Sequence, residues 1–180
     1  IVFNEPFAGF GDSPDFYVYG LDGKIKALGE IKCPMSQGKI ETLQFLNEIN
    51  EKDEYYWQFL GHFVGMSDVD VLYYVIYDGY TNNGRIIEMH RAEHEANIQK
   101  LADRIRFADA LVDCSLKTGL DFPECIEAAT VILPLRLEIE VLTKQAKGNV
   151  PIQNQIRRIK KEIRKIIASK KACSQHTINI

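Results

Sequence analysis

The sequence predicts an α+β (α/β) fold: a mixed β-sheet led by a hairpin and flanked by helices, followed by a C-terminal helical extension. Three observations predict it. Residues 15–32 hold two runs rich in β-branched and aromatic side chains around Asp22-Gly23, a dipeptide suited to the positive φ of a hairpin turn. Residues 69–77 are almost continuously apolar and β-prone, as in a central strand covered on both faces. From residue 92 onward, apolar positions recur at helical spacing. The division expected is a core over 1–118 and a helical extension over 119–180.

Residues 1–14, with Gly9, Gly11 and Pro14, read as a loop into the hairpin, and Asp12 as a turn cap beside Ser13-Pro14. After Pro34 a polar connection spans 35–39. Ile40, Leu43, Phe45, Leu46 and Ile49 then predict an amphipathic helix over 40–52. A second helix is predicted over 54–66, burying Tyr56, Phe59, Leu60, Phe63 and Val64. Tyr55, Gln58 and His62 share a stripe beside that face. His62 reads as a packed core histidine, and Gln58, on its residues alone, as a satisfied core glutamine. The strand at 69–77 is followed by a loop through Asn82-Asn83-Gly84 and a strand at 85–91.

A helix over 92–117 ends at Thr118-Gly119, and Asp121-x-x-Glu124 forms a capping box for the next helix, bent at Pro134. Residues 135–141 also alternate at period two, so a strand is the other possibility there. Gly148 to Pro151 breaks the chain before a last helix over 152–171. Its isoleucine stripe is surrounded by eight bases, among them Arg157, Arg158, Lys160, Lys161, Arg164 and Lys165, against the single acid Glu162.

At 180 residues and 46% hydrophobic content the chain can bury one core plus an appendage. No apolar run reaches the ~18 residues that span a bilayer, and no secretory leader is recognisable. The four cysteines are scattered without a C-x₂-C pair, which argues against structural zinc or an iron–sulfur cluster and for reduced thiols in the cytoplasm. The net charge of −3 hides an asymmetry: residues 1–100 hold 16 acids and 8 bases, residues 101–180 hold 9 and 14. An acidic half repels nucleic acid unless a cation and a basic element offset it.

With a two-residue loop at Asp22-Gly23, Asp15 stands opposite Glu30, and Lys32 points to the same side. A three-residue loop would spoil that opposition. Two opposed carboxylates repel unless a cation lies between them, so Asp15 and Glu30 are candidate ligands for a hard divalent ion, Mg²⁺ or Mn²⁺, which Asp12 could approach if it does not cap the turn. On the hairpin alone, a surface ion pair between Lys32 and Glu30 accounts for the pattern equally well.

Ser13-Pro14-Asp15, Glu30-Ile31-Lys32-Cys33-Pro34 and Tyr55-Tyr-Trp-Gln58 together resemble the PD-(D/E)XK nuclease superfamily, and within it the phage lambda exonuclease and YqaJ-type recombination nucleases. The resemblance covers residues 11 to about 91. It implies a restriction-endonuclease-like core with Asp15, Glu30 and the Ile31 carbonyl as metal ligands, Lys32 as catalytic lysine and Gln58 as an active-site glutamine. It further implies Mg²⁺-dependent 5′-to-3′ digestion of linear double-stranded DNA by a homo-oligomer, linked to phage-type recombination with a single-strand annealing protein. The chain departs from the family pattern at Phe16, often glycine there, and at Leu60, often a second glutamine. The family also carries an upstream helical region with a further acid. Here fourteen residues precede Asp15 and the first is Ile1, which predicts a longer parent chain, with Glu5 the nearest substitute acid.

Two other classes fit the same residues. One is a nucleic-acid or protein-binding module that keeps the nuclease fold without turnover, and the other a restriction- or repair-type endonuclease. The terminal helix reads either as a solvated helix docked by its isoleucines or as a phosphate-contacting element holding duplex DNA by charge.

Overall fold

The structure, a computed structural model, describes residues 2–3, 10–146 and 148–177. Glu5 lies outside the described residues. Within 1–14, where a loop was expected, β1 (Val2–Phe3) and β2 (Gly11–Asp12) pair antiparallel, which satisfies backbone groups otherwise left to water.

The principal sheet has the order β3-β4-β5-β6, formed by Phe16–Tyr19, Ile25–Lys32, Val71–Asp78 and Asn83–His90. Its outer pairs are antiparallel and the central β4–β5 pair is parallel. A parallel pair needs a long crossover, here containing α1 (Gln37–Gln44) and α2 (Tyr56–Gly65). The Phe59 ring lies 4.9 Å from that of Tyr74, which seats α2 on the sheet face carrying the fully buried Leu28 and Leu72. The opposite face of β5 is only partly covered, at Val71, Tyr73 and Val75, so the expected double burial holds on one side only.

The helix expected over 40–52 begins earlier and stops earlier. The Ser36 hydroxyl accepts the Lys39 amide and starts α1 from within the expected connection. At the other end, Asn50 accepts the Lys52 amide and Asp53 accepts the Asn50 amide, local bonds that compete with helix.

The hairpin loop also differs. Gly20 and Lys24 close a three-residue loop, Leu21 to Gly23, with Gly23 at φ +73°. Tyr19 therefore pairs with Ile25, but Val18 pairs with Ala27, leaving Lys26 as an extra residue in β4. That bulge restores the register that a two-residue loop would have given, as far as Phe16 opposite Gly29.

Arg91, expected at a strand end, instead opens α3 (Arg91–Thr118). Its guanidinium donates to the carbonyls of Phe63 and Met66, closing the C-terminal end of α2, and to that of Val69.

Two compact units divide the chain, Ile1–Asp103 and Arg104–Ile180, with the boundary inside α3. The second unit comprises the rest of α3, α4 (Phe122–Gln145) and α5 (Val150–Thr177). Its core is built from Ala110, Cys114, Cys125, Ala128, Ala129, Ile132 and the α5 residues Ile159, Ile163 and Ile167. Burial, reinforced by Cys125, pushes the Cys114 thiol up to about 11. The Asp121/Glu124 capping box forms, and α4 runs through Pro134, so no strand occurs at 135–141. Arg136, just past that proline, bridges Asp109 at 2.5 Å and Asp113 at 2.6 Å on α3.

Candidate active site

Glu30 is the hub. It lies on β4 beside Tyr74 of β5, on the face covered by α2, and is 4% exposed. One carboxylate oxygen, Oε1, accepts from Lys32 Nζ at 2.6 Å and from Gln58 Nε2 at 2.6 Å. Lys32 reaches Glu30 because residues two apart on a strand share a face, and Gln58 because it lies on the first turn of α2. Lys32 also donates to Gln58 Oε1 at 3.0 Å and sits 4.8 Å from the Tyr55 ring centroid. Three sequence-predicted residues thus form one closed hydrogen-bonded triangle.

Asp15 occupies a bend just before β3 and is exposed. Its amide donates to the Gly29 carbonyl, and its Oδ2 accepts the Ile31 amide at 2.7 Å. The ladder ends at Phe16, so Asp15 is not a regular cross-strand partner of Glu30. Its side chain instead clasps the β4 backbone next to Glu30. Phe16, at the position often glycine in the resembled family, lays its ring across Gly29, and only a residue without a side chain fits beneath it.

Two residues read as structural have closer ties to the site. His62, one turn after Gln58 on α2, is 2% exposed, as a core histidine should be. Its Nδ1 bonds Asp12 Oδ1 at 2.7 Å, and its Nε2 stands 3.2 Å from Glu30 Oε2. Asp12 is not a turn cap: it is buried in β2 against the end of α2. The shared stripe of Tyr55, Gln58 and His62 was the available signal for His62. Asp12 was marked only by its nearness in sequence to Asp15; its bond to His62 was not, because that partner lies 50 residues away.

Beside the triangle, Lys39 contacts both Glu54 and the Tyr55 hydroxyl, which hold its ammonium above the usual lysine range. Tyr74, fully buried between the Phe59 and Tyr55 rings, has its phenol pushed up by burial and then by Tyr55.

The oxygens of Asp15 and Glu30, with the Ile31 carbonyl, form a hard donor set. Glu30 Oε2 is buried and lacks a hydrogen bond among the described residues, which leaves its lone pairs available to a cation. Among the described residues no cluster of three or more His, Cys, Asp or Glu is arranged to hold a metal. Two carboxylates and a carbonyl are donor types that suit Mg²⁺, which is commonly held by one or two carboxylates and completed by water and substrate phosphate. They do not suit zinc, which takes nitrogen and sulfur ligands in closed sites.

The six bases proposed for nucleic acid, Arg157, Arg158, Lys160, Lys161, Arg164 and Lys165, are all exposed on α5, opposite its buried isoleucines. None of the six has an ion-pair partner among the described residues. No helix among the described residues is long and apolar enough to cross a membrane. Comparison with protein-family models, curated proteins and solved structures yields no match.

Proposed function

We propose that the chain is a Mg²⁺-dependent deoxyribonuclease that hydrolyses phosphodiester bonds in linear double-stranded DNA. The observation that carries this reading is the convergence of Lys32 and Gln58 on one oxygen of Glu30, with the Asp15 carboxylate at the adjoining Ile31 amide. A buried carboxylate is costly to keep unless it is paired, and here the paired groups are those that phosphodiester hydrolysis uses.

Asp15, Glu30 and the Ile31 carbonyl would hold the ion, which when bound supplies Lewis acidity towards a phosphoryl oxygen. Lys32 offers its ammonium to orient an attacking water and to stabilise negative charge as it develops. Gln58 keeps Lys32 and Glu30 in register, and the Tyr55 ring supports the ammonium from the side. The bases on α5 supply sequence-independent attraction to backbone phosphates. The same reading places the protein in the cytoplasm, as a homo-oligomer digesting 5′ to 3′ beside a single-strand annealing protein in phage-type recombination.

The test is incubation with linear and closed circular duplex in Mg²⁺. Linear DNA is expected to be degraded, and Glu30→Gln to abolish degradation. Equal degradation by that variant would falsify the role given to Glu30, and cutting of closed circles would indicate an endonuclease. The partner-free bases of α5 favour a second reading, a binding module without turnover. It predicts DNA binding that is indifferent to Mg²⁺ and no cleavage.

A further inference from the structure

Asp12, His62 and Glu30 come from β2, α2 and β4, and all three are buried. Two carboxylates and an imidazole are costly to bring out of water, and Asp12 Oδ2, Glu30 Oε2 and His62 Nε2 each lack a hydrogen bond among the described residues, so packing alone does not explain the trio. Because a carboxylate accepts, His62 donates Nδ1–H to Asp12 at 2.7 Å. That bond fixes the ring plane and turns Nε2 towards Glu30 Oε2, 3.2 Å away.

Glu30 is thus held at Oε1 by Lys32 and Gln58, while the edge of the imidazole stands against Oε2 at 3.2 Å without a hydrogen bond. Gly65, on the last turn of α2, makes the arrangement possible. A Cβ there would fall 2.8 Å from that of Asp12.

We propose that Asp12 and His62 form a positioning pair that fixes the Glu30 carboxylate and so sets the affinity of the site for a divalent cation. The inference rests on reading Glu30 as a ligand. Neither Asp12 nor His62 is itself assigned to the metal. Outer groups that orient a ligand commonly alter metal affinity by about 10–100-fold when removed.

The experiment is calorimetric titration of Mn²⁺ into the full chain and into His62→Ala, Asp12→Asn and the double variant, with far-UV circular dichroism on each. Each single variant is expected to raise the Mn²⁺ Kd by about 10–100-fold. The double variant is expected to bind about as weakly as His62→Ala, since the two residues act in series. His62→Asn, whose side-chain amide keeps a donor towards Asp12, should recover part of the affinity. A folded His62→Ala that binds Mn²⁺ within about twofold of wild type overturns the proposal. Should His62→Ala not fold, the near-isosteric Asp12→Asn decides by the same criterion. Wild-type binding abolished in Glu30→Gln but unchanged in the His62 and Asp12 variants overturns this inference alone. Absence of Mn²⁺ binding by the wild type overturns the ligand reading and this inference with it.

Discussion

The Phe16 ring lies directly over Gly29: a Cβ built on Gly29 would fall 1.9 Å from Phe16 Cζ. The two residues are cross-strand partners immediately before the site, so the ring covers a gap in the sheet next to Glu30. Gly29→Ala must expel the ring, and a cost of about 1–3 kcal/mol is expected, as in overpacked cores. Urea unfolding of the variant measures it, and an unchanged midpoint would contradict the close approach.

Lys32→Ala is expected to lower hydrolysis of linear duplex by about 10²-fold or more, the scale on which positioned charge and proton-transfer groups act. Gln58→Ala should cost less, because Lys32 keeps its bond to Glu30. Single-turnover rates at saturating DNA separate the two. If Gln58→Ala is the more damaging, the ranking of roles is reversed.

Tyr56 accepts a hydrogen bond from Asn97 and stands 3.2 Å from His94 Nδ1, to which its hydroxyl donates in the tautomer that leaves Nδ1 unprotonated. Neutral His94 accepts that proton, whereas an imidazolium cannot. Burial lowers the His94 pKa from 6.5, against opposing pulls from Glu93 and Glu48. The unfolded chain therefore binds more protons below about 6.5, so stability is full above that pH and declines as pH falls towards the depressed native value. Denaturant midpoints between pH 7.5 and 5.5 (about the histidine range) should fall with acidity, and His94→Gln should flatten that slope.

Arg91 satisfies three main-chain carbonyls with one guanidinium. Burial lowers its pKa, yet it remains a cation throughout the working range. Arg91→Met leaves those carbonyls without their donor, for an expected loss of about 2–4 kcal/mol. Lysine cannot reproduce the fork, so Arg91→Lys should recover little. Thermal melts of both variants test this.

Reversing Arg157, Lys161 and Arg164 to glutamate removes three bases that follow one side of α5. Duplex affinity should fall, and the slope of log K against log salt should flatten by about 0.9 for each phosphate that is no longer neutralised. An unchanged slope would remove α5 from the DNA-binding surface.

The pairing of Glu30 with Lys32 was legible because strand parity is a local property of sequence, whereas Gln58 came to the site only through the family resemblance. The capping box at Asp121 and the isoleucine stripe of α5 were legible too. Less legible was anything fixed by distant partners. Asp12 is defined by His62, and Arg91 by the end of a helix nearly thirty residues earlier. The end of α1 was hidden for a different reason: Asn50 and Asp53 outcompete helix through short bonds that apolar periodicity does not register.

The bulge at Lys26 gives the bend between β3 and β4 a form of error correction. Odd loop length and odd bulge cancel, and it is their sum that decides which side chains meet the chemistry. Trimming the bend by one residue, or deleting Lys26 alone, would slide one ribbon past the other by a single step and carry Asp15 away from its seat at Ile31. Both edits made together would leave the site where it stands.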